Sequence, residues 1–155
     1  MLSDRFSRAK ATILVVDDSP EMQQYLRILL ELDSYHVETA STGSEALQRL
    51  REGCAPAVVL LDVQMPGMDG LKTLRRLRKL WPELKVIMCS GVDDPGRTRR
   101  AALLGVQAYL TKPIQHLYLS AAIERCLAGQ ATKPVNHYPG ARVLTLPRRN
   151  PGHEN

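Results

Sequence analysis

The chain has 155 residues, 44% of them hydrophobic and 24% charged, with a formal net charge of +5. That composition excludes global disorder, and the length allows one domain with a core of useful size and little more. No apolar run approaches the ~20 residues needed to span a bilayer, and the run at 13–16 is cut off by Asp17-Asp18, which excludes a signal-peptide core.

Residues 11–16 read as a strand, a continuous apolar run of the kind buried on both faces. Ser19 then offers a helix N-cap and Pro20 a first helical position, ahead of an apolar face of Met22, Leu26, Leu29 and Leu30. Residues 36–39 form a short strand, and Thr42-Gly43-Ser44-Glu45 is a capping-box pattern opening a helix through Ala46, Leu47 and Leu50. Gly53 stops that helix, and residues 57–61 are the third strand. After Met65-Pro66-Gly67 a helix turns Leu71, Leu74, Leu77 and Leu80 inward until Pro82 closes it. Its other faces hold Lys72, Arg75, Arg76, Arg78 and Lys79; a solvated face accounts for them, and an acidic partner surface is the sharper alternative. Residues 85–89 are the fourth strand, 98–104 a short helix and 107–110 the fifth strand. The last helix, 113–127, has a broad apolar face of Ile114, Leu117, Leu119, Ala121, Ile123 and Leu127. Regular alternation of strand and helix implies a parallel sheet with right-handed crossovers and helices on both faces.

From Gly129 the pattern ends in Pro/Gly/basic-rich sequence. The expected organisation is an N-terminal extension (1–10), one folded domain (11–128) and a tail (129–155) disordered in isolation. The charge follows the same division. Residues 11–127 carry fourteen Lys/Arg and fourteen Asp/Glu, so the excess comes from the two ends. A basic balance confined to tails is weak ground for nucleic-acid binding, and direct DNA binding is not expected. Cys54, Cys89 and Cys126 lack CxxC spacing, and His36, His116, His137 and His153 lack ligand spacing. They read as reduced thiols and ordinary histidines of a cytoplasmic protein.

Asp17 and Asp18 directly follow the first strand, Asp62 the third, Ser90 the fourth and Lys112 the fifth stretch. Strands of a parallel sheet end on one edge, and ligands bind in the crevice beyond those ends. Three carboxylates and an ammonium therefore converge there. Carboxylates a few ångströms apart repel by ~4 kcal/mol per pair at an effective dielectric near 20, so a proton or a cation is taken up. Hard oxygen ligands suit Mg²⁺. A carboxylate is already an ionised nucleophile at neutral pH, and an aspartyl phosphate is a recognised product. Ser90 is placed to hydrogen-bond a phosphoryl oxygen and Lys112 to neutralise another.

Ile13-Leu14-Val15-Val16-Asp17-Asp18-Ser19, Leu60-Leu61-Asp62-Val63-Gln64-Met65-Pro66-Gly67-Met68-Asp69-Gly70, Ser90 and Tyr109-Leu110-Thr111-Lys112-Pro113 together resemble the receiver domain of bacterial two-component response regulators. The resemblance covers residues 11–127. It implies an α/β, doubly wound, flavodoxin-like sheet of five parallel strands in the order 2-1-3-4-5. It implies Asp62 as phosphoacceptor, served by a sensor histidine kinase or phosphotransfer protein. Mg²⁺ would be held by Asp18, Asp62 and the Gln64 backbone carbonyl, with Asp17 acting mainly through bound water. Ser90 would be the switch hydroxyl, Lys112 the phosphate-pairing lysine and Tyr109 an aromatic switch turning from exposed to inward. Lys112-Pro113 falls where the family commonly has a cis bond. Output would run through the fourth helix, fifth strand and fifth helix to a protein target that the residues do not name. The chain would be a phosphoacceptor with intrinsic phosphotransfer and autodephosphorylation chemistry rather than an enzyme.

Val106-Gln107-Ala108 stands where one large subfamily carries acidic residues that build a symmetric dimer, so a monomer or a weak, phosphorylation-dependent dimer is expected. Two other classes compete. An aspartyl-nucleophile phosphatase needs a second acid two positions after Asp62, where Gln64 stands. A transcription factor needs a helix-turn-helix domain, for which residues 129–155 are too few, leaving the receiver portion of a longer transcriptional regulator as that alternative.

Overall fold

The computed structural model describes residues 9–65, 69–91 and 95–129. The expected tail beyond Gly129, most of the N-terminal extension, Pro66-Gly67 and Asp93-Asp94 lie outside the described residues. The elements are β1 (Thr12–Val16), α1 (Pro20–Leu32), β2 (His36–Ala40), α2 (Gly43–Arg51), β3 (Val58–Asp62), α3 (Gly70–Leu80), β4 (Val86–Ser90), α4 (Pro95–Leu103), β5 (Ala108–Thr111) and α5 (His116–Leu127). All strand pairs are parallel, in the expected order β2-β1-β3-β4-β5.

Side chains alternate across the sheet and divide the core in two. Leu14, Val16, Val59, Leu61, Val86, Met88 and Tyr109 face α2, α3 and α4, meeting Leu47, Leu74, Leu77 and Ala101. Ile13, Val15, Val58, Leu60, Ile87, Cys89 and Leu110 face α1 and α5, meeting Leu26, Leu30, Leu119 and Ile123. Burying each of these aliphatic side chains contributes about 1.5–3 kcal/mol, which makes the two layers the main source of stability. Polar ties close the α1–α5 side: Tyr25 donates to the Ile114 carbonyl (2.7 Å), and Asp33 bonds His116 (3.0 Å) and Ser120.

Helix starts are capped as side-chain chemistry predicts. Ser19 accepts from the Met22 N–H at 3.2 Å and Thr42 from the Glu45 N–H at 3.0 Å. The reciprocal arm of the capping box is displaced, because the Glu45 carboxylate accepts from the Ser41 N–H (2.8 Å), one residue early. Asp69, not singled out as a cap, accepts from the Lys72 N–H at 2.9 Å and starts α3.

Several sequence expectations need correction. Leu80 is 48% exposed, because α3 ends there and Trp81 and Leu84 take the inward place against the core. Leu117 is 75% exposed. The buried stripe of α5 is Leu119, Ala122, Ile123 and Cys126, spaced i, i+3, i+4, i+7, and Leu117 lies off that stripe. That helix starts at His116 rather than Pro113, after a cis Lys112-Pro113 bond and an extended Gln115. Arg78 is not part of a solvated face. Its guanidinium donates to the carbonyls of Leu104 (2.8 Å), Gly105 (2.7 Å), Pro82 (3.3 Å) and Leu84, and reaches Gln107 Oε1 (3.4 Å). It thereby ties the C-terminal ends of α3 and α4 together.

Candidate functional site

β1 and β3 end side by side, Val16 opposite Leu61, at the point where the chain order reverses. That is where an open parallel sheet leaves a crevice. Asp62 is the last residue of β3, and Asp17-Asp18 follow β1. One carboxylate oxygen from each of Asp17, Asp18 and Asp62 lies within 4.8 Å of the other two. Asp17 and Asp62 are buried, at 2% and 5% exposure, whereas Asp18 faces solvent. The chain leaving β5 brings in Lys112, whose Nζ donates to Asp17 Oδ2 at 3.0 Å and stands 3.4 Å from Asp62 Oδ2.

Burial pushes the Asp62 carboxyl above the ordinary carboxylate range, and the nearby Asp17 charge adds to it. The Gln64 N–H, bonded to Asp62 Oδ1 at 3.1 Å, and the Lys112 charge pull the other way without cancelling that effect. For Lys112, burial works downward, but the hydrogen bond to Asp17 and the charges of Asp62 and Asp17 outweigh it and hold the ammonium above its ordinary value.

The backbone around these groups is fixed by contacts of Gln23, Ser19 and Gly70 that the sequence pattern did not predict. Gln23 in the first turns of α1 donates to the Asp17 carbonyl at 2.6 Å, and the Ser19 N–H donates to Asp17 Oδ1 at 2.9 Å. Gly70 opens α3 hard against the end of β3; a Cβ there would lie 2.2 Å from the Asp62 carbonyl oxygen and 2.7 Å from Val63 Cα. Any side chain at 70 displaces the backbone that carries Asp62. The Asp69-Gly70 pair was the available signal for both the cap and this contact.

Ser90 is not beyond the fourth strand but is its last residue, 1% exposed. By alternation it shares the face of Met88, and Tyr109 sits opposite Met88 in the register, so Ser90 and Tyr109 lie on the same side of the sheet. The Tyr109 ring is already inward, at 5% exposure, in the cluster that contains Ala101 and Val106, rather than exposed as expected. Its hydroxyl is buried with no hydrogen-bond partner among the described residues. Gln64 is exposed, with its N–H on Asp62.

The site thus brings together Asp17, Asp18, Asp62, Lys112 and the Gln64 backbone, with Ser90 at the end of the strand adjoining β3. Three carboxylates against one ammonium leave two negative charges uncompensated, a donor set of hard oxygens that fits a divalent cation.

The family model described as the response regulator receiver domain matches residues 13–124. The transcriptional regulatory protein CpxR homolog of Haemophilus influenzae is 36% identical over 134 residues, covering 86% of this chain and 57% of that protein. The transcriptional regulatory protein KdpE of Mycobacterium tuberculosis is 41% identical over 101 residues, covering 65% of this chain and 44% of that protein. The chain spans about half the length of the curated relatives it matches. Among solved structures, a response regulator receiver domain protein from Clostridium thermocellum superposes with a TM-score of 0.73 at 36% identity, covering 77% of this chain and 95% of that one. A CheY-like receiver domain protein from Methanospirillum hungatei gives 0.72 at 31% identity, covering 77% and 94%. With the strand order, the matched residues and these relatives in agreement, the chain belongs to the response regulator receiver domain family.

Proposed function

We propose that Asp62 takes a phosphoryl group from the phosphohistidine of a sensor histidine kinase or phosphotransfer protein, and that the surface of α4, β5 and α5 passes the change to a protein target. The observation that carries this reading is the convergence of three carboxylates and Lys112 at the switch point of the sheet. In the transfer, an Asp62 carboxylate oxygen attacks phosphorus, the P–N bond to the donor imidazole breaks, and its electron pair stays on the imidazole nitrogen. Lys112, already aimed between Asp17 and Asp62, neutralises phosphoryl charge, and the Gln64 N–H holds the nucleophile. Mg²⁺ would be held by Asp18, Asp62 and the Gln64 carbonyl with Asp17 behind them, and when bound it supplies charge neutralisation for the transferred oxygens. Among the described residues no helix is long and apolar enough to cross a membrane, and a cytoplasmic site of action is part of the proposal.

Metal binding precedes phosphorylation on this reading. By calorimetry, Asp18→Ala weakens Mg²⁺ binding at least roughly tenfold, a loss that even outer-shell changes cause at metal sites. Acetyl phosphate then modifies the unaltered chain only while Mg²⁺ is present and not with a chelator in excess. Unchanged Mg²⁺ affinity in Asp18→Ala counts against the ligand assignment.

Ser90 and Tyr109 form the proposed switch. A phosphoryl group on Asp62 adds acceptor oxygens that draw the Ser90 hydroxyl, changing the packing beside Tyr109. The inward ring gains burial but strands its hydroxyl, at a cost of about 1–3 kcal/mol, so the inward and outward states differ little and a small push selects between them.

The functional unit on this reading is residues 11–128. A chain ending at Gly129, which keeps the Gly129 N–H bond to the Cys126 carbonyl, still phosphorylates. Its melting temperature falls by less than about 4 °C, the shift that ~1 kcal/mol produces in a domain of this size. A larger drop shows that the tail packs on the domain. One observation favours a second reading, the receiver portion of a longer transcriptional regulator. Three of the matched relatives, from Haemophilus influenzae, Bacillus subtilis and Mycobacterium tuberculosis, are named as transcriptional regulatory proteins and are about twice as long as their matched regions.

A further inference from the structure

The sequence Gly70–Leu80 contains five Lys/Arg and no Asp or Glu. One of the five, Arg78, is consumed by backbone carbonyls, as described above. The other four, Lys72, Arg75, Arg76 and Lys79, stand at i, i+3, i+4 and i+7, which places them on one stripe of the helix, and all four are exposed. None forms an ion pair or a side-chain hydrogen bond among the described residues. Local energetics oppose this arrangement. Lys72–Arg76 and Arg75–Lys79 are like charges at i, i+4, and Lys72 places a cation in the first turn against the helix dipole. Lys79 in the last turn favours the dipole, but no acidic side chain among the described residues pairs with the stripe.

Exposed apolar side chains stand at one end of the stripe. Leu80 closes α3 at 48% exposure and Leu103 closes α4 at 82%. The Arg78 bonds to the Leu104 and Gly105 carbonyls hold these two helix ends together, so both leucines belong to the same end of the α3–α4 layer. A polyanion has use for the cations but none for the leucines. A helix carrying acidic residues along one side and apolar residues beside them has use for both.

From this we infer that the α3–α4 face is a docking surface for an acidic, amphipathic helix of a partner protein. The surface shares α4 with the proposed output face and goes beyond the receiver chemistry.

The test uses the full chain and a fluorescein-labelled synthetic peptide of Glu and Leu at helical spacing, followed by anisotropy. Controls are the same peptide with Ser for Leu, and an oligothymidylate. Charge reversal in Arg75→Glu/Arg76→Glu is expected to weaken the Glu/Leu peptide by at least about tenfold; Arg75→Ala/Arg76→Ala gives a smaller loss in the same direction and guards against misfolding of the first variant. Leu103→Ser weakens the peptide, and the Ser control peptide binds less well than the Leu one. Arg148→Glu/Arg149→Glu, in the basic tail, leaves binding within twofold of the original on the same basis. The inference is overturned if only the tail variant loses binding, or if the Leu and Ser peptides bind alike. It is also overturned if oligothymidylate binds as tightly as the Glu/Leu peptide, which makes the face a nucleic-acid surface, or if no peptide binds at low ionic strength.

Discussion

Asp62→Asn takes up no phosphoryl group from acetyl phosphate and Mg²⁺, whereas the unaltered chain forms an adduct that mass mapping places on Asp62. The amide keeps the shape and the neighbours but cannot act as an anionic nucleophile. Asp17 and Asp18 remain nearby, so a normal adduct yield in the variant would sink the assignment. The same substitution has a second, opposite effect. Burial raises the Asp62 pKa above its unfolded value. For a raised group the sign is fixed: its contribution to stability is full below the unfolded pKa and is lost as pH rises through the folded one. At neutral pH the ionised Asp62 therefore works against folding, and Asp62→Asn is expected to melt higher than the parent in metal-free buffer. The gap narrows as pH falls through the folded value toward the ordinary carboxylate range. Adding Mg²⁺ should stabilise the parent, by about 2.7 kcal/mol at a concentration roughly 100 times Kd, and the variant much less. A variant that melts lower than its parent without metal would contradict the electrostatic account of the site.

Arg78→Met lowers the unfolding free energy by about 3–5 kcal/mol, among the largest effects expected of any substitution away from the site. Methionine fills much of the volume, but the carbonyls of Pro82, Leu84, Leu104 and Gly105 lose their shared donor. Hydrogen bonds to a charged group are each worth about 1.5–3 kcal/mol, and some of these carbonyls regain water, which sets the lower figure. Arg78→Lys does not rescue the loss, because an ammonium is a point charge without the fork that meets acceptors from two loops at once. Urea unfolding with an unchanged denaturant slope provides the measurement. A loss under about 1 kcal/mol would reduce Arg78 to an ordinary surface cation.

The chemistry of the site was legible because the fold places it by a simple rule. Asp17 and Asp62 each stand at the end of an all-apolar run and Lys112 directly follows β5, and parallel strands put those ends on one edge. What escaped notice depends on contacts between elements distant in sequence. The acceptors of Arg78 lie as many as 29 residues away along the chain, so the guanidinium looked no different from its solvated neighbours. Leu117 is as apolar as Leu119, and only the face that α5 turns to the sheet decides which one is buried. The inward Tyr109 was likewise out of reach, since its side chain is placed within a core cluster assembled from segments distant in sequence. Local pattern names the elements; their mutual orientation selects the buried member of each pair.

The two-layered core also has a mechanical consequence. Tyr109 belongs to the layer shared by α2, α3 and α4, while its chain neighbours Ala108 and Leu110 belong to the layer shared by α1 and α5. A close-packed interior passes displacement on to whatever it touches. Movement of the tyrosine ring therefore acts first on the layer of α2, α3 and α4, and reaches α5 through β5 itself, whose Ala108 and Leu110 lie in the other layer. The strand is thus a hinge between two packed layers: one residue presses on the first layer while its two chain neighbours carry the same displacement into the second.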